Sequence, residues 1–293
     1  RGDIASAYVT LSNGERENLH ITALGGSIGT PGDSIITAGI LVVKQLTDLD
    51  TMEADFTKDK IVLFNRAMNP VLINTGSAYG GANDQRGRGA IAAARVGAIG
   101  ALVRSLTHSL DTLPHTGAMY YSEDVKQIPA AAISTVDARK LAALLKEDPN
   151  LRVSLIMNCT ALPDVEQGNV IGEWTGVEFP NEIITLGGHL DSWDIGEGAH
   201  DDGAGIVHTI EVLRALKAVG YTPRRTIRFV LFINEENGNR GGEKYAEIAA
   251  RELKAGEKIY VAAMESDAGG FSPRGFSMDA PDDLVAQVKG WAT

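Results

Sequence analysis

Within GGHLDSWDIGEGAHDDGAG, residues 187–205, five carboxylates and two histidines occur without a single Lys or Arg. Carboxylates crowded into one place repel each other, and burying them unpaired costs on the order of several kcal/mol. Either the loop is fully solvated, or the compensating cation is not an amino acid. Two more acidic groups stand in comparable places: Glu235–Glu236 after the apolar run RTIRFVLFIN, and Asp267 after KIYVAAMES. One imidazole, His189, among several carboxylates is a donor set suited to Zn²⁺, with Mn²⁺ and Co²⁺ as close competitors. Two metals sharing a bridging carboxylate would account for the density of negative charge.

These residues need strands to bring them together. EIITLGG, RTIRFVLFIN and KIYVAAMES read as strands, and each delivers its acidic or histidine residues at its C-terminal end. In open α/β sheets that is the edge where ligands bind. Asp191 lies two residues past His189, on the same face of an extended chain, and is therefore placed to orient the imidazole. DDGAGIVHTIEVLRALKAVG reads as a helix, with Asp202 as its N-cap and Ile206, Ile210, Leu213 and Leu216 on its apolar stripe. Gly188, Gly203, Gly205, Gly241 and their neighbours allow close approach of backbone to the site. His200 and His208 are expected to stay out of the ligand set. Taken singly, Asp202 is explained by capping and Glu235–Glu236 by a solvated turn; their convergence at successive strand ends favours a site.

The rest of the chain supplies a frame. SAYVTLS and LHITALG read as short strands within residues 1–30. AGILVV, KIVLFN, GALVR, IPAAAIS and LRVSLIMNC are strands interleaved with helices at GAIAAARVG and TVDARKLAALLKE, giving an α/β module of 31–160. NVIGEWTG then opens a second strand–helix series that ends in the helical DAPDDLVAQVKGWAT. KIYVAAMES is expected to be a buried strand. The fold class is α/β, a mostly parallel sheet flanked by helices with an inserted α/β domain. The 293 residues carry a formal charge of −11, which argues against nucleic acid or an anionic membrane as partner. No stretch is long and apolar enough to span a membrane. The single cysteine, Cys159, excludes an intrachain disulfide framework. Both end segments read as interrupted elements, so the expectation is a piece of a longer protein.

GGHLDSWDxGxGAxDDGxG, the Glu pair after an apolar strand, and MESDAG together resemble the zinc exopeptidases of the aminopeptidase Y and glutamate carboxypeptidase type. SIGTP, KIVLFN, AAARVGAIGALVRS, PHTG, KQIPAAAIS and TPRRTIRFVLF extend the likeness over nearly the whole chain. The resemblance implies a catalytic domain made of residues 1–30 and 161–293, with a protease-associated domain of 31–160 inserted between them. It further implies two zinc ions per complete site. His189 and Asp267 would hold the first, Glu236 the second, and Asp201 would bridge. Glu235 would be the general base and Asp191 would orient His189. A cis peptide is implied after the bridging residue, between Asp201 and Asp202. The implied substrates are dipeptides or short peptides, the implied location is secreted, periplasmic or lysosomal, and a homodimer is possible.

One departure from the family pattern bears on activity. The family's last ligand is a histidine far downstream, and no histidine follows Asp267 here. Two rival expectations stand beside hydrolysis: a catalytically inactive, peptidase-like binding protein, and a single-zinc glutaminyl cyclase of the same fold.

Overall fold

The computed structural model describes residues 4–272 and 275–291. Residues up to Gln167, with Glu236–Asn239, group as one compact unit; Gly168–Glu235 and Arg240 onward group as a second.

The first unit is built on an eight-stranded mixed sheet. Its strands are β1 (Ala5–Thr10), β2 (Arg16–Leu19), β3 (Ile21–Ala23), β4 (Ile36–Val43), β5 (Ile61–Phe64), β6 (Gly100–Arg104), β7 (Ala130–Ile133) and β8 (Arg152–Met157), in the order β2-β1-β8-β4-β5-β6-β7-β3. β4, β5, β6 and β7 run parallel, as their short apolar sequences suggest. The acidic connector after β4 is not plain loop: it holds a 3₁₀ segment, Leu46–Thr51, and one turn of helix, α1 (Ala54–Thr57). Helices α2 (Thr75–Gly80), α3 (Asp84–Arg95) and α4 (Thr135–Glu147) complete the unit. Ser134 caps α4 by accepting from the Asp137 N–H.

Residues from 5 to 23 are tied into this sheet by main-chain pairing. β1 pairs antiparallel with β8 over six positions, and β3 pairs with β7. Main-chain hydrogen bonds to strands far away in sequence decide this, and alternation within residues 1–30 does not reveal them.

The second unit carries a four-stranded sheet, β12-β10-β11-β9. β10 (Phe179–His189) lies between β11 (Arg225–Phe232) and β12 (Ile259–Glu265), parallel to both. β9 (Val170–Trp174) is antiparallel to β11. Alternation divides the two faces. Leu186, Ile227 and Phe229 pack with Leu213 and Leu216 of α5 (Gly203–Ala218). On the other face, Phe232 meets the ring of Tyr245 from α6 (Arg240–Lys254) at 5.6 Å. Arg228, otherwise an unlikely residue for a buried strand, is satisfied there by Glu173 at 2.7 Å and the Tyr260 hydroxyl at 2.8 Å. Helix α7 (Asp282–Trp291) ends the described chain.

Two burial expectations are corrected. Among the described residues β12 is an edge strand, and Ile259, Val261 and Met264 are exposed on it. Ile210 is exposed too, since the covered stripe of α5 runs through Gly205, Thr209, Leu213 and Leu216. An apolar run has the same composition at an edge as at a centre.

Candidate metal centre

β10 and β11 end side by side, His189 level with Phe232, and β12 ends two positions earlier, with Glu265 level with Gly187. The loops leaving these ends therefore start from one edge of the sheet. His189 is almost fully buried, 1% exposed, and its Nδ1 faces the Asp191 carbonyl oxygen at 2.9 Å. That bond aims Nε2 at acidic groups. Asp201 Oδ1 is 3.1 Å away, Asp267 Oδ1 3.4 Å and Glu235 Oε2 3.9 Å. Ligand atoms of His189, Asp201 and Asp267 all lie within 4.8 Å of one another.

Asp191 stands beside the imidazole, its carboxylate Oδ1 3.9 Å from His189 Nδ1. Its main-chain carbonyl meets the imidazole, while its carboxylate Oδ1 accepts the N–H of Glu235 at 2.9 Å. The side chain thus ties the loop after β11 to the loop after β10. Asp202 fulfils the capping expectation and adds to it. Oδ1 accepts from the Gly205 N–H, and Oδ2 accepts from the main-chain N–H of His189, both at 2.9 Å. One buried carboxylate therefore joins the end of β10 to the start of α5. The Asp201–Asp202 peptide is cis. Gly188 and Gly205 are needed for this approach: a Cβ on Gly188 would lie 2.6 Å from Asp202 Oδ2, and one on Gly205 only 1.8 Å from the Ser266 carbonyl.

The group of three does not include Glu236, which lies with Glu235 in the turn after β11. His200 and His208 stay outside the cluster. His200 accepts from the Gly270 N–H at 3.3 Å and packs on Phe271, and His208 meets Ser266 Oγ at 2.9 Å. Sequence reasoning passed over Glu265, whose charge acts on His189 and Glu235. Its position at the end of β12, two residues before Asp267, was the available signal.

The electrostatics follow from crowding. Burial pushes the His189 imidazole down, but the Asp191 carbonyl and the charges of Asp267, Glu235 and Asp202 outweigh it and hold the group at about 9. Asp267 is pushed up to about 6 by burial; His189 pulls it down, while Asp201, Asp202 and Glu235 push it up. The cluster thus favours bound positive charge, whether a proton or a metal ion.

Comparison with known proteins agrees with this geometry. Residues 169–292, which contain every member of the cluster, match peptidase family M28. This segment is an M28 domain. Carboxypeptidase Q of Xenopus laevis is 37% identical over 271 residues, 92% of this chain and 55% of that protein. The human carboxypeptidase Q is likewise 37% identical, over 92% of this chain and 54% of its own length. The chain therefore spans about half the length of the curated relatives it matches. A crystal structure of a peptidase M28 precursor from Shewanella amazonensis superposes with a TM-score of 0.84 at 40% identity, covering 92% of this chain and 59% of that one. BSAP, a zinc aminopeptidase from Bacillus subtilis, superposes at 0.59 with 21% identity, covering 92% and 57%; that likeness shows the fold alone. No helix among the described residues of the M28 domain or of the first unit is long and apolar enough to cross a membrane.

Proposed function

We propose that this chain carries the metal-binding part of a zinc-dependent exopeptidase that hydrolyses dipeptides or short peptides. The observation that carries the reading is His189 Nε2, one nitrogen facing carboxylate oxygens of Asp201, Asp267 and Glu235. A single proton on Nε2 satisfies one of them, whereas a cation among them attracts all. The donor set of one imidazole nitrogen and carboxylate oxygens fits zinc.

In this reading His189, Asp201 and Asp267 hold the ion. Zinc bound there supplies Lewis-acid polarisation of the scissile carbonyl and makes water more acidic. Glu235 is the general base: its Oε2 takes a proton from water and returns it to the leaving amine. The Asp191 carbonyl fixes the imidazole, and the Asp191 carboxylate fixes the loop bearing Glu235. A second zinc, with Glu236 as its ligand and Asp201 bridging, rests on the resemblance. So do a protease-associated role for residues 31–160 and a secreted, periplasmic or lysosomal location. Carboxypeptidase and aminopeptidase relatives differ in which peptide end they read, and this reading covers both.

The test starts with zinc. The purified chain, stripped by chelator and reloaded, should retain zinc by elemental analysis. His189→Ala and Asp267→Asn should lose it, and Glu235→Gln should keep it. Equal zinc in wild type and His189→Ala would sink the site. Chelator-sensitive cleavage of a dipeptide in free and N-acetylated forms then reads the reaction. In Glu235→Gln the turnover should fall by roughly 10²–10⁴-fold; wild-type turnover in that variant removes Glu235 from the role.

A further inference from the structure

The parallel strands of the first unit have their own C-terminal edge, and a buried cation lies there. β5 ends at Phe64 and leads into Asn65, β6 ends at Arg104, and β7 leads into Ser134 and α4. Arg104 is 5% exposed. Its Nη1 donates to Asn65 Oδ1 at 3.3 Å and to the Thr135 carbonyl at 3.2 Å, both neutral acceptors. Its Nε is buried with no acceptor. Among the described residues no carboxylate pairs with Arg104.

The charge nearest in effect is of the same sign. Arg139, on the exposed side of α4, lies close enough for its charge to act on Arg104, and it has no acidic partner either. Burial and then Arg139 push the Arg104 guanidinium below its ordinary pKa, yet an arginine remains a cation in a protein. A buried cation without a counter-charge is costly, and the like charge of Arg139 acting on it adds to that cost. In natural proteins buried charges are paired. The other buried arginine strand residue, Arg228, shows the contrast: it has Glu173 at 2.7 Å.

We propose that Arg104, held in place by Asn65 Oδ1, forms with Arg139 a binding site for a carboxylate group at the C-terminal edge of the first unit's parallel strands. The planar guanidinium presents paired donors to two carboxylate oxygens, which a point charge such as lysine does not. The orphaned Nε is the donor such a ligand would satisfy. The carboxylate belongs either to a free small acid or to the C-terminus of a peptide.

The experiment measures thermal unfolding of the full chain against acetate, with acetamide as neutral isostere and sodium chloride holding ionic strength constant. Acetate should raise the midpoint saturably, and acetamide should not. Arg139→Gln, a change at an exposed position, should weaken the acetate response roughly threefold or more. Arg104→Met should abolish it. If Arg104→Met fails to fold, Arg139→Gln decides. Acetate bound instead at the His189 cluster would be indifferent to Arg139, so an unchanged response in Arg139→Gln overturns the proposal. An equal response to acetate and acetamide overturns it as well. A second arm uses trialanine with a free or an amidated C-terminus. An Arg139-dependent response to the free form alone, without one to acetate, assigns the site to peptide ends.

Discussion

His189 Nε2 has room for one proton and faces three carboxylate side chains within 3.9 Å. Loading a metal must displace that proton, and the imidazole holds it up to about pH 9. Zinc affinity of the chain should therefore rise with pH between about 6.5 and 9, checked by competition titration against a chromophoric chelator. The sign reverses for stability in chelated protein. A histidine raised above its unfolded value of about 6.5 stabilises the fold fully below that pH, and the contribution is lost as pH rises toward 9. Chelated wild type should lose its advantage over His189→Asn across that window; a constant difference would show that the proton is not held where the geometry places it. Asp191→Ala separates the two functions of its residue. The carbonyl that meets the imidazole remains, so zinc should stay bound, while turnover falls roughly 10–100-fold because the Glu235 loop is released. Loss of zinc would show that the carboxylate supports the metal after all. Residue types and spacing made His189, Asp201 and Asp267 legible as a group. The tie from Asp191 to the Glu235 N–H was not legible, because it depends on how two loops meet.

At the level of elements, most strands and helices could be read from period and punctuation, and α4 falls on the segment TVDARKLAALLKE. What could not be read was position within the sheet. β12 has the composition of a central strand and, among the described residues, lies at the edge, with Ile259, Val261 and Met264 exposed. An apolar, unpaired edge is a template for association. Val261→Lys should reduce self-association in sedimentation velocity while leaving zinc content unchanged. If association is the same in both proteins, the contact forms elsewhere. The same limit explains residues 1–30: their alternation is correct for strands, but their partners β8 and β7 lie more than a hundred residues away.

On the scale of the whole molecule, burial is unequal. The first unit has two large apolar clusters, one around Ile61, Leu63, Leu102 and Leu155 and another around Val62, Phe64, Ala93 and Val103. The second unit has a small one at Leu186, Ile227 and Phe229. Residues 160–168 between them are all exposed. Limited proteolysis should cut there first, and a fragment holding the first unit should outlast the remainder, as followed by mass spectrometry. Earlier loss of the first unit would contradict this ranking of the two cores. The antiparallel pairing of β1 with β8 has a consequence for how such a unit can be handled. Ala5 stands opposite Met157, so the unit's entry strand and exit strand are hydrogen-bonded neighbours. A body whose way in and way out adjoin can be grafted into a loop of an unrelated host without prising that loop apart. It can equally be rewired as a circular permutant, with the old ends spliced and new ones opened at the exposed Val71–Ile73.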